Sequence, residues 1–208
     1  KYYEHRDMLG AFEAIDRVEA RFAECFGRAY TGPVEAVSCD DAEAVLVTLG
    51  SIAGLARESV ARLREQGKRV GLLRIRYMRP FPAKLIAEAL AGAAAVGVLE
   101  KDISFGAEGT VFTNVNSALQ QAGCMVPTFN FVGGLGGDDI TSAQMDAMFD
   151  ALLDSVGERG RDDAAAGRSC DDASTGQGAG LGRVSFLGID FSVASQPACG
   201  DDCKEGAR

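Results

Sequence analysis

Between residues 42 and 156, short apolar runs alternate with amphipathic stretches, and this alternation limits the possible folds more than any other feature of the chain. Ala44-Val45-Leu46-Val47-Thr48-Leu49 is apolar on both of its alternating faces, so a strand here has to be covered from two sides. Val70-Gly71-Leu72-Leu73-Arg74-Ile75, Ala95-Val96-Gly97-Val98-Leu99 and Thr128-Phe129-Asn130-Phe131-Val132 are similar runs. Between the runs, apolar residues recur at helical spacing. Ile52, Leu55, Ala56, Val60 and Leu63 form one stripe, and Leu85, Ile86, Ala89 and Leu90 a second. Phe112, Val115, Leu119 and Ala122 form a third, and Met145, Met148, Phe149 and Leu152 a fourth. The punctuation agrees. Gly50-Ser51 turns the chain, with Ser51 expected to cap the next helix. Glu58 is expected to pair with Arg62 on that helix's wet side, and Gly67 to end it. Pro82 suits a first helical turn that stops at Gly92, and Thr141 with Gln144 spells a capping box. The pattern predicts an α/β fold of three layers, a mostly parallel sheet flanked by helices.

The flanks read differently. Residues 1–41 are expected to be a helical segment leading in from an upstream domain. A helix over 6–28 carries Phe12, Ile15, Val18, Phe22 and Phe26 on one face, stops at Gly27, and is followed by Thr31-Gly32-Pro33. Residues 42–156 form the α/β domain. Residues 157–182 are rich in Gly, Asp, Ala, Ser and Arg with almost no large apolar side chain, and are expected to be a flexible linker. Residues 183–208 comprise a terminal strand, Val184-Ser185-Phe186-Leu187-Gly188-Ile189, and a polar tail.

Composition excludes some functions. The formal net charge is -9 and the isoelectric point about 4.7, which disfavours a nucleic-acid partner. No run reaches the roughly 18 apolar residues of a membrane span, and no secretory signal is visible, so a cytoplasmic protein is expected. The six cysteines, Cys25, Cys39, Cys124, Cys170, Cys199 and Cys203, are scattered. Cys199 and Cys203 are close, but one pair falls short of a metal ligand set.

The candidates for chemistry are few. His5, the one histidine, has no evident catalytic partner nearby. Leu49-Gly50-Ser51-Ile52-Ala53-Gly54 follows a strand and opens a helix, but departs from the dinucleotide fingerprint and reads better as a tight turn. Gly133-Gly134-Leu135-Gly136-Gly137-Asp138-Asp139 suggests a phosphate cradle or a calcium repeat. Two carboxylates oppose the first, a single copy opposes the second, and a closely approached backbone loop fits better. Arg74, Arg76 and Arg79 surround Tyr77 before Pro80-Phe81-Pro82. They could hold an anion, but ion pairing or a subunit contact fits better. Glu100 and Asp102 follow a strand's carboxyl end, where they serve either as ligand-binding groups or as solvated loop acids. No catalytic, cofactor-binding or metal-binding residue is assigned. Arg76, Arg79 and Phe81 are candidate interface residues.

A set of strings then occurs in order: Phe26-Gly27-Arg28-Ala29-Tyr30, Asp41-Ala42-Glu43, Gly50-Ser51, Arg76-Tyr77-Met78-Arg79-Pro80-Phe81-Pro82, and Gly134-Leu135-Gly136-Gly137-Asp138-Asp139-Ile140-Thr141. Together they resemble the carboxy-terminal part of the alpha subunit of pyruvate (2-oxoacid):ferredoxin oxidoreductases, closely over residues 1–156. The family's loop usually reads G-L-G-G-R-D, and Asp138 stands where its Arg would be. The resemblance implies a transketolase carboxy-terminal-like fold within an enzyme that converts pyruvate and coenzyme A to acetyl-CoA and carbon dioxide while reducing ferredoxin. It places thiamine diphosphate, magnesium and 4Fe-4S clusters in the rest of the complex and none in this chain. Its implied partners are the other subunits, of beta, gamma and delta type, with ferredoxin and coenzyme A engaged through the complex. The matching domain of a transketolase-like or 2-oxoacid dehydrogenase enzyme is an alternative, as is a non-enzymatic assembly module.

Overall fold

The structure, a computed structural model, describes residues 1–30, 32–165 and 184–187. Helices α1 (Tyr2–Leu9) and α2 (Ala11–Phe26) precede an alternating series. That series is β1 (Val34–Val37), β2 (Ala44–Leu49), α3 (Ala53–Glu65), β3 (Val70–Ile75), α4 (Ala83–Leu90), β4 (Ala95–Glu100), α5 (Thr110–Gln121), β5 (Thr128–Val132), α6 (Ser142–Ala165) and β6 (Val184–Phe186). One six-stranded sheet results, in the order β1-β3-β2-β4-β5-β6. β1 runs antiparallel to β3, and the other pairs are parallel.

The two central strands dictate the layers. In β2, Ala44 through Thr48 are withdrawn from water, and every residue of β4 is buried. One sheet face presents Leu46, Leu72, Leu99 and Phe131 to α3 and α6, which answer with Val60, Leu63, Phe149 and Leu152. The other presents Val47, Leu73, Val96 and Val98 to α4 and α5, which answer with Ile86, Leu90, Phe112 and Val115. Gly97 faces α6, and a Cβ there would stand 2.8 Å from the Phe131 ring and 2.9 Å from Leu152. The missing side chain is what lets α6 approach β4. The Thr141–Gln144 capping box forms as expected. Gln144 N–H donates to Thr141 Oγ1 at 3.2 Å, and Thr141 N–H donates to Gln144 Oε1 at 2.8 Å.

Several expectations need correction. The helix over 6–28 is two helices that meet at Gly10, a residue with poor helix propensity. Gly27 does end α2 in the left-handed conformation, at φ 65°. Phe12, Ile15 and Phe22 are half-buried, but Val18 and Phe26 are exposed, and no residue of either helix is fully buried. Ser51 makes no cap. A short 3-10 turn over Gly50–Ile52 intervenes, and α3 starts at Ala53. Arg62 reaches across to α6, where its Nη2 lies 2.6 Å from both Asp146 oxygens. Leu85 and Ala122 face outward rather than into the core.

The segment expected to be helical through residue 41 contains β1, an edge strand held by charge. Glu35 lies 2.6 Å from Arg57, 3.1 Å from Arg76 and 3.5 Å from Arg74. Burial alone would raise the Glu35 pKa, but Arg57 and Arg76 hold it below its ordinary value. The α6 helix runs through Ala165, into the stretch expected to be linker. The rest of that stretch, the polar tail and Cys170, Cys199 and Cys203 lie outside the described residues. The terminal strand is present over Val184–Phe186 and pairs with β5.

Because α6 covers the sheet through Leu152, Leu152→Ala is expected to cost about 2–5 kcal/mol. It should appear as a lower urea midpoint with an unchanged slope. A loss below about 0.5 kcal/mol would mean that α6 does not hold the sheet.

Candidate functional site

The strand order reverses between β2 and β4, and there the carboxyl ends of both strands open into a cleft of about 500 Å³. This is the position at which open α/β sheets bind ligands. Leu49, Ile52, Met78, Leu99 and Val111 form apolar walls, with Ser51, Lys101, Asp102 and Thr110 as polar lining. Thr110 donates its hydroxyl to Asp102 at 3.1 Å.

Glu100 is neither a solvated acid nor an open ligand group. It is 5% exposed and turned under the amino terminus of α5. Its Oε2 accepts the Val111 N–H at 2.8 Å. Its Oε1 accepts the Phe112 N–H at 3.3 Å and the Asn130 side-chain amide at 2.7 Å. Asn130, buried in β5, uses its oxygen to accept the Gly109 N–H at 2.8 Å. A Cβ on Gly109 would stand 1.9 Å from Glu100 Oε1, so only glycine leaves room for the carboxylate. The positive end of α5, where an anion would otherwise bind, is thus filled by the chain's own side chain. Asn130 was not singled out in the sequence. The signal available was an amide in the middle of an apolar strand, a residue that burial obliges to find partners.

The glycine-rich loop is the closely approached backbone that its composition suggested. A Cβ at Gly134 would meet the Lys101 side chain at 2.8 Å, and one at Gly133 would meet Leu187 at 2.9 Å. Asp138 and Asp139 are exposed beyond it. Among the described residues, no three of His, Cys, Asp or Glu stand close enough to hold a metal. Cys39 is buried, and burial pushes its thiol up to about 11. Cys25 is exposed, Cys124 is half-buried, and His5 is exposed on α1.

The expected interface residues separate. Arg76 is turned inward, on Glu35, the Gly32 carbonyl and the face of the Tyr30 ring. Arg79 is exposed, with its guanidinium on the Met78 carbonyl, and precedes a cis bond to Pro80. Phe81 is half-buried against the α4–α5 core and lines a groove with Phe12 and Leu85.

Glu100→Gln tests the carboxylate. An amide has one oxygen for three donors and turns an NH2 toward one of them, so a loss of about 1–3 kcal/mol is expected. Burial raises the Glu100 pKa from 4.5, against the lowering effect of the bonds from Val111, Asn130 and Phe112. The folded chain therefore keeps this proton to higher pH than the unfolded chain. Stability from this group is complete below pH 4.5 and declines as pH rises through the raised value. Urea midpoints across this range should decline for the native chain and lack that component in the variant. Parallel curves would contradict the assignment.

Comparison with known proteins gives a consistent picture. Residues 42–145 match the family described as pyruvate:ferredoxin oxidoreductase core domain II. The pyruvate synthase subunit PorA of Methanothermobacter thermautotrophicus is 40% identical over 148 residues, covering 71% of this chain and 37% of that one. The ketoisovalerate oxidoreductase subunit VorA of Pyrococcus abyssi is 37% identical, covering 71% of this chain and 38% of that one. The alpha subunit of an NADH-dependent phenylglyoxylate dehydrogenase from Aromatoleum evansii is 34% identical, covering 70% of this chain and 35% of that one. The chain thus spans well under half the length of these relatives. The matched segment is the stretch that the strand–helix alternation marks out, from the start of β2 into α6, and over it the chain belongs to the pyruvate:ferredoxin oxidoreductase core domain II family.

Proposed function

We propose that the chain is the carboxy-terminal part of the alpha subunit of a pyruvate:ferredoxin oxidoreductase. The reaction is pyruvate, coenzyme A and oxidised ferredoxin to acetyl-CoA, carbon dioxide and reduced ferredoxin, in the cytoplasm. The observation that carries this reading is the 40% identity to a pyruvate synthase subunit over 148 residues. The relatives differ in the 2-oxoacid that their names carry, so a panel of 2-oxoacids assayed on the purified complex should fix the substrate.

The described residues do not fit the diphosphate of the cofactor that the family implies. A diphosphate would find the amino terminus of α5 already held by Glu100, and acids rather than a cation at positions 138 and 139. Thiamine diphosphate, magnesium and the 4Fe-4S clusters are placed by this reading in the rest of the complex, upstream in the alpha subunit or on the subunits of beta, gamma and delta type. The domain's task is assembly. Arg79 and Phe81 are its anchors, on a stretch stiffened by Pro80 and Pro82, and arginine with aromatic residues commonly anchors interfaces. Arg76, committed to Glu35, supports the ridge from beneath.

Arg79→Ala in the assembled complex tests the reading. Subunit association is expected to weaken about tenfold or more, with the melting temperature of the isolated chain unchanged. Unchanged association with a clearly lower melting temperature would sink it.

A further inference from the structure

Helices α1 and α2 lie on the domain without sinking into it. Phe12, Ile15, Glu19 and Phe22 recur at helical spacing along α2 and are only half-buried, and neither helix contains a fully buried residue. The seam between α2 and the domain is hollow in two places. A groove of about 440 Å³ lies between Phe12 and Asp16 on one side and Pro33, Phe81 and Leu85 on the other. A second, of about 250 Å³, lies between Val18 and Phe22 on one side and Arg76 and Tyr77 on the other. Unfilled space forfeits the dispersion contacts that fix a helix in a core, so apolar packing gives α2 a weak seat.

One carboxylate fastens it. Among the described residues, Glu19 is the α2 side chain that hydrogen-bonds to the domain. Its Oε1 accepts the Tyr77 hydroxyl, and its Oε2 accepts the Gly32 N–H at 3.1 Å. These two partners are already tied to each other. The Pro33 carbonyl accepts the Arg76 N–H at 2.8 Å and the Tyr77 N–H at 3.4 Å. Glu19 thus grips a fixed seat built from two remote segments. The connection to that seat turns at Gly27 and Gly32, both left-handed, at φ 65° and 74°. Glycine crosses between backbone regions at little steric cost, so the connection is pivoted at both ends.

We propose that α1 and α2 form a strap that docks on the domain and lifts from it while the domain stays folded, with Glu19 as the latch. Docked, the strap shields Tyr77, Pro33 and one side of Phe81. Lifted, it bares them, and α2, a helix of 16 residues, loses its main support and frays. Glu19 acts through Tyr77 and Gly32 and is therefore a positioning residue. The proposal needs only contacts within this chain and stands apart from the enzyme reading.

Hydrogen exchange by mass spectrometry on the 208-residue chain tests it. Amides of α2 are expected to exchange about a hundredfold or more faster than those of β2 and β4. Glu19→Ala and Tyr77→Phe should each speed α2 exchange about tenfold further, with β2, β4 and the melting temperature unchanged. Alanine favours the helix at least as well as glutamate, so the first effect is not one of propensity. Adding Tyr77→Phe to Glu19→Ala should change nothing more, because the two residues make one bond. Trypsin should cut the variants sooner at Arg17 and Arg21, both exposed on α2. Exchange of α2 in step with β2 and β4, or α2 exchange indifferent to both single variants, would overturn the proposal. So would fully additive effects in the double variant, or an equal acceleration in Glu24→Ala, on the exposed side of the helix.

Discussion

Burial of β2 and β4 on both faces is the constraint on which the rest of the structure depends. A strand with no wet face needs a helical layer on each side, and α3 with α6, and α4 with α5, supply them. Those layers have to come close. Gly97 allows it on one side, by giving up a side chain where Leu46, Phe131 and Leu152 converge. Covering both faces also leaves the strand ends as the places where the sheet meets solvent. The cleft, the Phe105 loop and the Met78–Arg79 turn are all at the carboxyl ends of strands, where the topology concentrates whatever the domain offers to others.

At that same end the domain closes its own anion site. Glu100 occupies the helix terminus that could otherwise bind phosphate, and three N–H donors reduce, without cancelling, the cost of burying its charge. Relatives that share the domain are named for pyruvate, ketoisovalerate and phenylglyoxylate.

What the sequence made legible followed from local pattern. Four strands and the stripes of α3, α5 and α6 could be read because apolar period and burial coincide at residues such as Leu46, Val60 and Phe149. β1 could not. Val34-Glu35-Ala36-Val37 is short and half-polar, and it is fixed by Glu35 meeting Arg57, Arg74 and Arg76, residues that lie far along the chain. Arg62 went unread for the same reason, since its partner Asp146 lies on another helix. The sequence leaves Glu100 open between a ligand-binding group and a solvated loop acid, because nothing local shows that β4 runs one residue further and that α5 begins directly over its carboxylate. The family motifs were legible as strings, but Arg76 and Arg79, three residues apart, point to opposite fates that only the fold separates.

On the reading proposed above, this chain completes an oxidoreductase whose chemistry lies in the rest of the complex. Pyruvate-dependent reduction of ferredoxin tests this, measured for the chain alone, for the complex lacking this segment and for the two combined. No turnover is expected of the chain, little of the complex lacking the segment, and restored turnover on mixing, in step with incorporation of the chain into the complex. Turnover by the isolated chain, or full activity of the complex without the segment, would contradict this reading.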